Sequence, residues 1–315
     1  MMIKRYLCRL AVIAAVFAAS QTVSAKIVRT TVTFDRNLDL KLDRYEDDRD
    51  TAMSRPAIIF AFGGGFSGGA RDRADYMPYF NFMAEQGFVV CSVDYRTALA
   101  GYKPAGGDNA VMEFGTALAG AVRTATTDFL TATAYVLANA AEWRVNPQAV
   151  IASGSSAGAI TALEAEQLMA LGQVKSVFGQ FNYAAVVSFA GALMSAGEPA
   201  GLDRFCPTML FQGDADANVP YDAMIIDGMG LYGSRYLATR LKEGKVDGAF
   251  YTVLGADHSM AISPMRDNLY DILGFLRHVL DGGPVQFAWT TVTLPGSAAY
   301  RTDFGIDEYI MNNMP

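Results

Sequence analysis

A serine hydroxyl becomes a useful nucleophile only when a base takes its proton. This chain offers two imidazoles for that role, His258 and His278. His258 lies in Gly255-Ala256-Asp257-His258-Ser259, directly after an apolar run, while His278 sits beside Arg277 in a helical pattern and reads as a structural residue on a solvated face. The serine with matching surroundings is Ser156, at the centre of Gly154-Ser155-Ser156-Ala157-Gly158. An apolar run, Ala149 to Ser153, leads into it, and a helix-compatible stretch from Ala159 to Leu171 leads out. So sharp a strand-to-helix turn strains its central residue and requires small neighbours, and all four flanking positions are small. Gly65-Phe66-Ser67-Gly68-Gly69 matches the same pattern but runs into polar Ala70-Arg71-Asp72-Arg73, so it is expected to be loop.

Acyl transfer also needs donors for the developing oxyanion, each worth about 3 kcal/mol. Phe62-Gly63-Gly64-Gly65-Phe66 follows the apolar run Ala57 to Phe62 and lets the backbone approach a ligand. The N–H groups of Gly64, Gly65 and Ala157 are the candidate donors. A phosphate cradle is not indicated, because no Lys-Ser/Thr follows and no G-x-G-x-x-G pattern occurs there. The acid that would orient the base lies in Gly213-Asp214-Ala215-Asp216-Ala217-Asn218-Val219-Pro220, where Asp214 and Asp216 are both candidates. The Asp-x-Asp-x-Asn spacing also suggests a calcium loop, but Val219 and Ile225 stand where its Gly and Glu belong, so no metal site is expected.

Residues so far apart in sequence must be brought together by a repeating framework. Ile27–Phe34 and Leu38–Tyr45 alternate around Asp35-Arg36-Asn37 and predict an antiparallel hairpin at a sheet edge. Short apolar runs at Ala57–Phe62, Phe88–Tyr95, Ala149–Ser153, Ala184–Phe189, Thr208–Phe211 and Phe250–Leu254 suit strands buried on both faces. Helical patterns lie between or beyond them at Tyr76–Gln86, Phe114–Ala140, Ala157–Leu171, Asp222–Lys242 and Met265–Leu280, the last with Ser263-Pro264 as its start signal. The expected fold is one α/β domain with a doubly wound, mostly parallel sheet, whose site lies at the carboxyl ends of the strands.

The 315 residues carry a net charge of −7, which argues against nucleic acid or an anionic membrane as the main partner. Lys4, Arg5 and Arg9, the apolar run Leu10–Ala19 and Val23-Ser24-Ala25 together resemble a secretory leader cleaved near Ala25. The run is shorter than the ~20 residues a membrane span needs, so export without a membrane anchor is expected, periplasmic or secreted. Taking away the leader's three basic residues leaves 22 basic and 32 acidic residues over 26–315, net −10. Cys91 and Cys206 then remain, and two free thiols are favoured over a bridge.

In combination these segments resemble the α/β-hydrolase superfamily, near its hormone-sensitive-lipase-like and carboxylesterase branch. The matching pieces are Phe62–Phe66 for the branch's His-Gly-Gly-Gly, Val93-Asp94-Tyr95-Arg96 for its Asp-Tyr-Arg, Gly154–Gly158, Gly213–Pro220 for Gly-x-x-Asp-x-x-Val-Pro, and Gly255–His258 for Gly-x-x-His. The resemblance spans about residues 34–280. It implies an eight-stranded sheet with the second strand antiparallel, and it places the acid at Asp216. It implies ester hydrolysis through Ser156, Asp216 and His258 without a cofactor. Two positions depart from the pattern: Phe62 replaces the motif's leading His, and Ser155 precedes Ser156 in place of Asp. Residues 286–315 fall outside it.

Phe62, Phe66 and Tyr95 are candidate substrate-binding side chains, with core packing as the competing role. The segment Leu99–Gly115, rich in Gly, is expected to be a mobile loop near the site. Small diffusible esters or carbohydrate-linked esters fit an exported, unanchored enzyme. An exopeptidase of the prolyl-oligopeptidase type and a non-catalytic binding protein on the same scaffold are the alternatives.

Overall fold

Strands with apolar residues on both faces must be covered on both faces, and the chain supplies helices between them to do so. The computed structural model describes residues 26–103, 110–226, 228–293 and 306–313. The expected leader, 1–25, lies outside the described residues. The strands are β1 (Ile27–Asp35), β2 (Leu40–Asp47), β3 (Arg55–Ala61), β4 (Val89–Val93), β5 (Val145–Ser155), β6 (Ala185–Phe189), β7 (Ala192–Ala196), β8 (Thr208–Gly213), β9 (Ala223–Ile226), β10 (Met229–Gly233), β11 (Gly248–Leu254) and β12 (Phe287–Thr293). The helices are α1 (Met77–Glu85), α2 (Ala110–Ala138), α3 (Ala157–Ala170), α4 (Lys175–Phe178), α5 (Ser234–Glu243), α6 (Pro264–Asp267), α7 (Leu269–Leu280) and α8 (Ile306–Asn313).

The main sheet has the order β1-β2-β4-β3-β5-β6-β8-β11-β12. β1 pairs antiparallel with β2 and β2 with β4, and every later pair is parallel. This is the doubly wound, mostly parallel arrangement expected from the sequence, with one correction. Among the described residues the sheet has nine strands rather than eight. The ninth, β12, comes from the tail that the resemblance left out, and it pairs in register from Gly248 against Phe287 to Leu254 against Thr293. Its side chains are largely exposed, and Trp289 stands edge-on to Phe250 with ring centroids 4.9 Å apart. β12 therefore covers the edge of β11 rather than extending the core.

The central strands β3, β4, β6 and β8 are buried along almost their whole length. α2 and α3 pack together over one face, and α1 packs with α6 and α7. Cys91 is buried in β4 and both described cysteines are free thiols, as favoured. No helix among the described residues is long and apolar enough to cross a membrane.

Three sequence expectations need correction. The helix expected over Asp222–Lys242 begins only at Ser234; before it runs the hairpin β9–β10, which joins β7 in a small antiparallel sheet of order β7-β10-β9. Gly228, between the two strands, has φ of 79°. The helix expected over Met265–Leu280 breaks at Asn268, where φ is −118°, and Ser263 makes no side-chain cap. The expected loop Leu99–Gly115 is α-helical from Ala110, and Leu99 is buried with its N–H on the Phe66 carbonyl 2.9 Å away. The intervening 104–109 lie outside the described residues.

Candidate active site

β5 ends at Ser155 and α3 begins at Ala157, leaving Ser156 alone to turn the chain. Ser156 has φ of 52° and ψ of −118°, a conformation that costs of order 1–3 kcal/mol and persists only where the surroundings enforce it. The enforcement is steric. A Cβ on Gly158 would lie 2.1 Å from the Ala61 carbonyl oxygen, and one on Gly154 would lie 2.2 Å from the Gly158 carbonyl oxygen. Bare glycines let α3 start against the end of β3, and the turn lifts Ser156 above the sheet. The Ser156 N–H is held by the Phe189 carbonyl at 2.8 Å.

The base arrives from the far side of the sheet. β11 ends at Leu254, Gly255 turns the chain with φ of 82°, and His258 opens a short 3-10 turn running to Ala261. The Asp257 side chain caps that turn by accepting the Ser259 N–H at 2.9 Å, and these hydrogen bonds hold its carboxyl below the usual range. His258 Nε2 stands 2.8 Å from Ser156 Oγ, and its Nδ1 stands 2.8 Å from Asp216 Oδ2. With Nδ1–H donating to the carboxylate, the Nε2 lone pair faces the hydroxyl.

The two candidate acids separate cleanly. Asp216 is buried, and its Oδ1 accepts the N–H groups of Asn218 and Val219 at 2.9 Å each. Those donors fix the carboxylate so that Oδ2 points at His258. Asp214 instead accepts the Gly255 N–H and so ties the acid loop to the base loop. Gln212, buried at the end of β8, donates to the carbonyls of Val219 and Pro220 and accepts the Ser234 N–H. The sequence reading missed this brace, although a polar side chain inside an apolar strand was its visible trace.

The glycine loop lies beside the serine. A Cβ on Gly63 would lie 3.2 Å from Ser156 Cβ. Gly64 and Gly65 take φ of 144° and 60°, and the Gly64 carbonyl accepts the N–H groups of Ser67 and Gly68, so this second Gly-x-Ser-x-Gly is a tight loop as expected. Ala157 opens α3, where the first N–H groups have no acceptor within the helix. The glycine loop, through Gly63, and the start of α3 thus both lie next to Ser156.

Phe62, Phe66 and Tyr95 are where the structure departs from expectation. All three are at most 3% exposed. Tyr95 stacks on Phe62 at 4.3 Å, stands edge-on to Phe66 at 6.2 Å, and donates its hydroxyl to the Phe62 carbonyl at 2.7 Å. They are core residues that brace the glycine loop, not walls of a pocket. Tyr76 adds a second brace, accepting the Gly63 N–H at 3.0 Å. Phe62 stands where the related motif carries an imidazole, and the two phenols hydrogen-bond the backbone at Phe62 and Gly63. Nearby, Arg96 forks onto buried Asp128 of α2, and Asp94 is held by Arg71 and the Lys41 N–H. His278, in the last turn of α7, faces Asp247 at 3.3 Å.

The BD-FAE family model matches residues 42–193, just under half of the chain. No curated protein matches. Solved structures with the same overall shape include Thermogutta terrifontis esterase 2 phosphonylated by cyclosarin, 23% identical with a TM-score of 0.54, covering 82% of this chain and 95% of that one. The native form of this thermophilic esterase from a Planctomycetes species aligns at 20% identity and TM-score 0.53, covering 83% and 92%. Its propionate-bound form aligns at 21% and 0.52, covering 83% and 94%. At such identities the likeness establishes the fold.

Proposed function

We propose that this chain is a carboxylesterase-like serine hydrolase of the α/β-hydrolase superfamily and that it cleaves carboxylic esters through Ser156, His258 and Asp216. The observation that carries this reading is the unbroken line of 2.8 Å contacts from Ser156 Oγ through His258 to Asp216. His258 Nε2 takes the hydroxyl proton as Ser156 Oγ attacks the acyl carbonyl. The N–H groups of Gly64, Gly65 and Ala157 stabilise the oxyanion, helped by the positive end of α3. Asp216 holds the imidazole in the right tautomer and balances its charge once protonated. The proton then passes to the leaving alcohol, the acyl group stays on Ser156, and water repeats the sequence with the same base. No cofactor enters any step.

The substrates proposed are small or carbohydrate-linked esters, met outside the cytoplasm after loss of residues 1–25, with 26–315 acting as one domain. Support for the reaction class comes from Thermogutta terrifontis esterase 2, which is phosphonylated by cyclosarin in one structure and has propionate bound in another. Ser156→Ala is expected to lower kcat on p-nitrophenyl acetate by several orders of magnitude while leaving the melting temperature nearly unchanged. A fluorophosphonate should label wild-type protein at Ser156 and leave the variant unlabelled. Retention of most esterase activity by the variant refutes the assignment. Faster turnover of amides than of matched esters would favour the exopeptidase alternative instead.

A further inference from the structure

Asp128 is bonded to the Arg96 backbone and guanidinium, just past the end of β4. Residues 110–127 of α2 therefore continue beyond the strand ends, for about 27 Å at ~1.5 Å per residue. This overhang has an apolar face, and it does not stand alone. The small β7-β10-β9 sheet faces it, and Tyr309 of α8 closes a third side, leaving a chamber of about 370 Å³. That volume is within the usual range for small-molecule sites. Four methionines line it, Met112, Met194, Met224 and Met229, together with Phe114 and Leu231. Among the described residues its one charged wall residue is the exposed Arg123.

The chamber walls are tied to the reacting groups. Asn312 and Asn313 of α8 donate to the carbonyls of Ala217 and Asn218, the residues that follow Asp216, at 2.9 and 3.0 Å. Asn313 also donates to the Tyr309 carbonyl at 2.9 Å, so the turn that presents Tyr309 is the turn that grips the acid loop. On the other wall, the Met194 N–H donates at 2.6 Å to Glu164, two turns along the helix that starts beside Ser156. Met112 and Met229 are 57% and 38% exposed, an arrangement that leaves apolar surface for a ligand to cover.

We propose that this chamber binds an unbranched alkyl chain of the ester, and that Tyr309 of the C-terminal extension limits the chain length accepted. The inference rests on the esterase reading and adds its substrate class. Methionine side chains are unbranched and flexible, so a wall made of them adapts to linear chains of different length, whereas a polar sugar ring would find almost no hydrogen-bonding partners there. Each methylene moved from water into such a site strengthens binding about fourfold. A chain several carbons longer than acetyl should therefore gain at least tenfold in kcat/KM.

The full-length protein is assayed on two series of esters, p-nitrophenyl acetate to octanoate for the acyl side and ethyl to octyl acetate for the alcohol side. The expected result is a rise of about tenfold or more in kcat/KM along one series, mainly through KM, which also tells which half of the ester enters. Tyr309→Ala should move the optimum to longer chains, and Met229→Trp, which fills the chamber from an exposed position, should move it to shorter ones. A flat profile in both series, or two variants with the wild-type optimum, overturns the proposal. Fluorophosphonate labelling separates the two readings. Labelled Ser156 with a flat profile sinks the chamber alone, and an unlabelled protein sinks the esterase reading and the chamber with it.

Discussion

At the scale of single residues, the site depends on hydroxyl groups that never touch substrate. Ser155 stands where the related motif carries a carboxylate, and its Oγ donates to the Ala261 carbonyl at 2.8 Å, buried. That bond joins the residue before the nucleophile to the last residue of the 3-10 turn that His258 begins. Ser155 is therefore a positioning residue. A substitution Ser155→Ala leaves a buried carbonyl unpaired, at a cost of about 1–3 kcal/mol. It also loosens the distance between Ser156 and His258, on which proton transfer depends steeply. The expected outcome is a fall of about tenfold in kcat with KM within about twofold of wild type. Steady-state kinetics on one ester, with the melting temperature as control, checks it. A variant that loses stability yet keeps kcat would reduce Ser155 to a packing residue.

At the scale of elements, the turns are set by close backbone approach rather than by glycine content as such. Gly158 and Gly65 are both part of Gly-x-Ser-x-Gly matches, but they are not equivalent. A Cβ at 158 meets the carbonyls of Ala61 and Phe62 at 2.1 and 2.5 Å, whereas one at 65 meets nothing nearer than the Ser67 hydroxyl at 3.7 Å. Gly158→Ala must push α3 off β3, and a loss of more than about 4 kcal/mol is expected in denaturant unfolding. Gly65→Ala pays only for φ of 60°, roughly 1–2 kcal/mol. Equal losses for the two would undercut the steric account of the turn. The same contrast explains what was legible beforehand. The strand-turn-helix around Ser156, the hairpin β1–β2 and the parallel strands were readable because their local patterns agree with the global fold. The acid was not readable from spacing, since Asp214 and Asp216 differ only in which backbone N–H groups reach them, and the related motif had to decide. The β9–β10 hairpin was missed because Met224, Ile225, Met229 and Leu231 also fit a helical period. Phe62, Phe66 and Tyr95 were placed on the pocket because their neighbours carry the chemistry. Tertiary contacts send their rings inward, and the apolar walls come from α2, β9–β10 and α8, distant segments with no recognisable motif.

At the scale of the whole molecule, the helix that presents Ser156 is enclosed by the sheet on one side and by α2 on the other, and this gives the fold a pH dependence. Glu166 lies on α3 and is only 2% exposed. Burial pushes its carboxyl up to about 7, against the opposing effect of the Cys206 N–H that donates to Oε1 at 2.7 Å. Glu164, on the same helix but with part of its surface open, is shifted the same way. A carboxyl whose folded pKa is raised binds its proton more tightly in the native state than in the unfolded chain. Its contribution is complete below the unfolded value near 4.5 and is lost as pH rises to about 7, above which it stays flat. The amount for one such group is on the order of 3 kcal/mol. Glu166→Gln keeps an oxygen for the Cys206 N–H and removes the titration. Wild type should therefore lose melting temperature between pH 5 and pH 8, and the variant should lose several degrees less over the same interval. Parallel curves for the two proteins would mean that Glu166 is ionised in the native state. In that case the interior around α3 would hold a charge, and the enclosure of the nucleophile helix described above would be wrong.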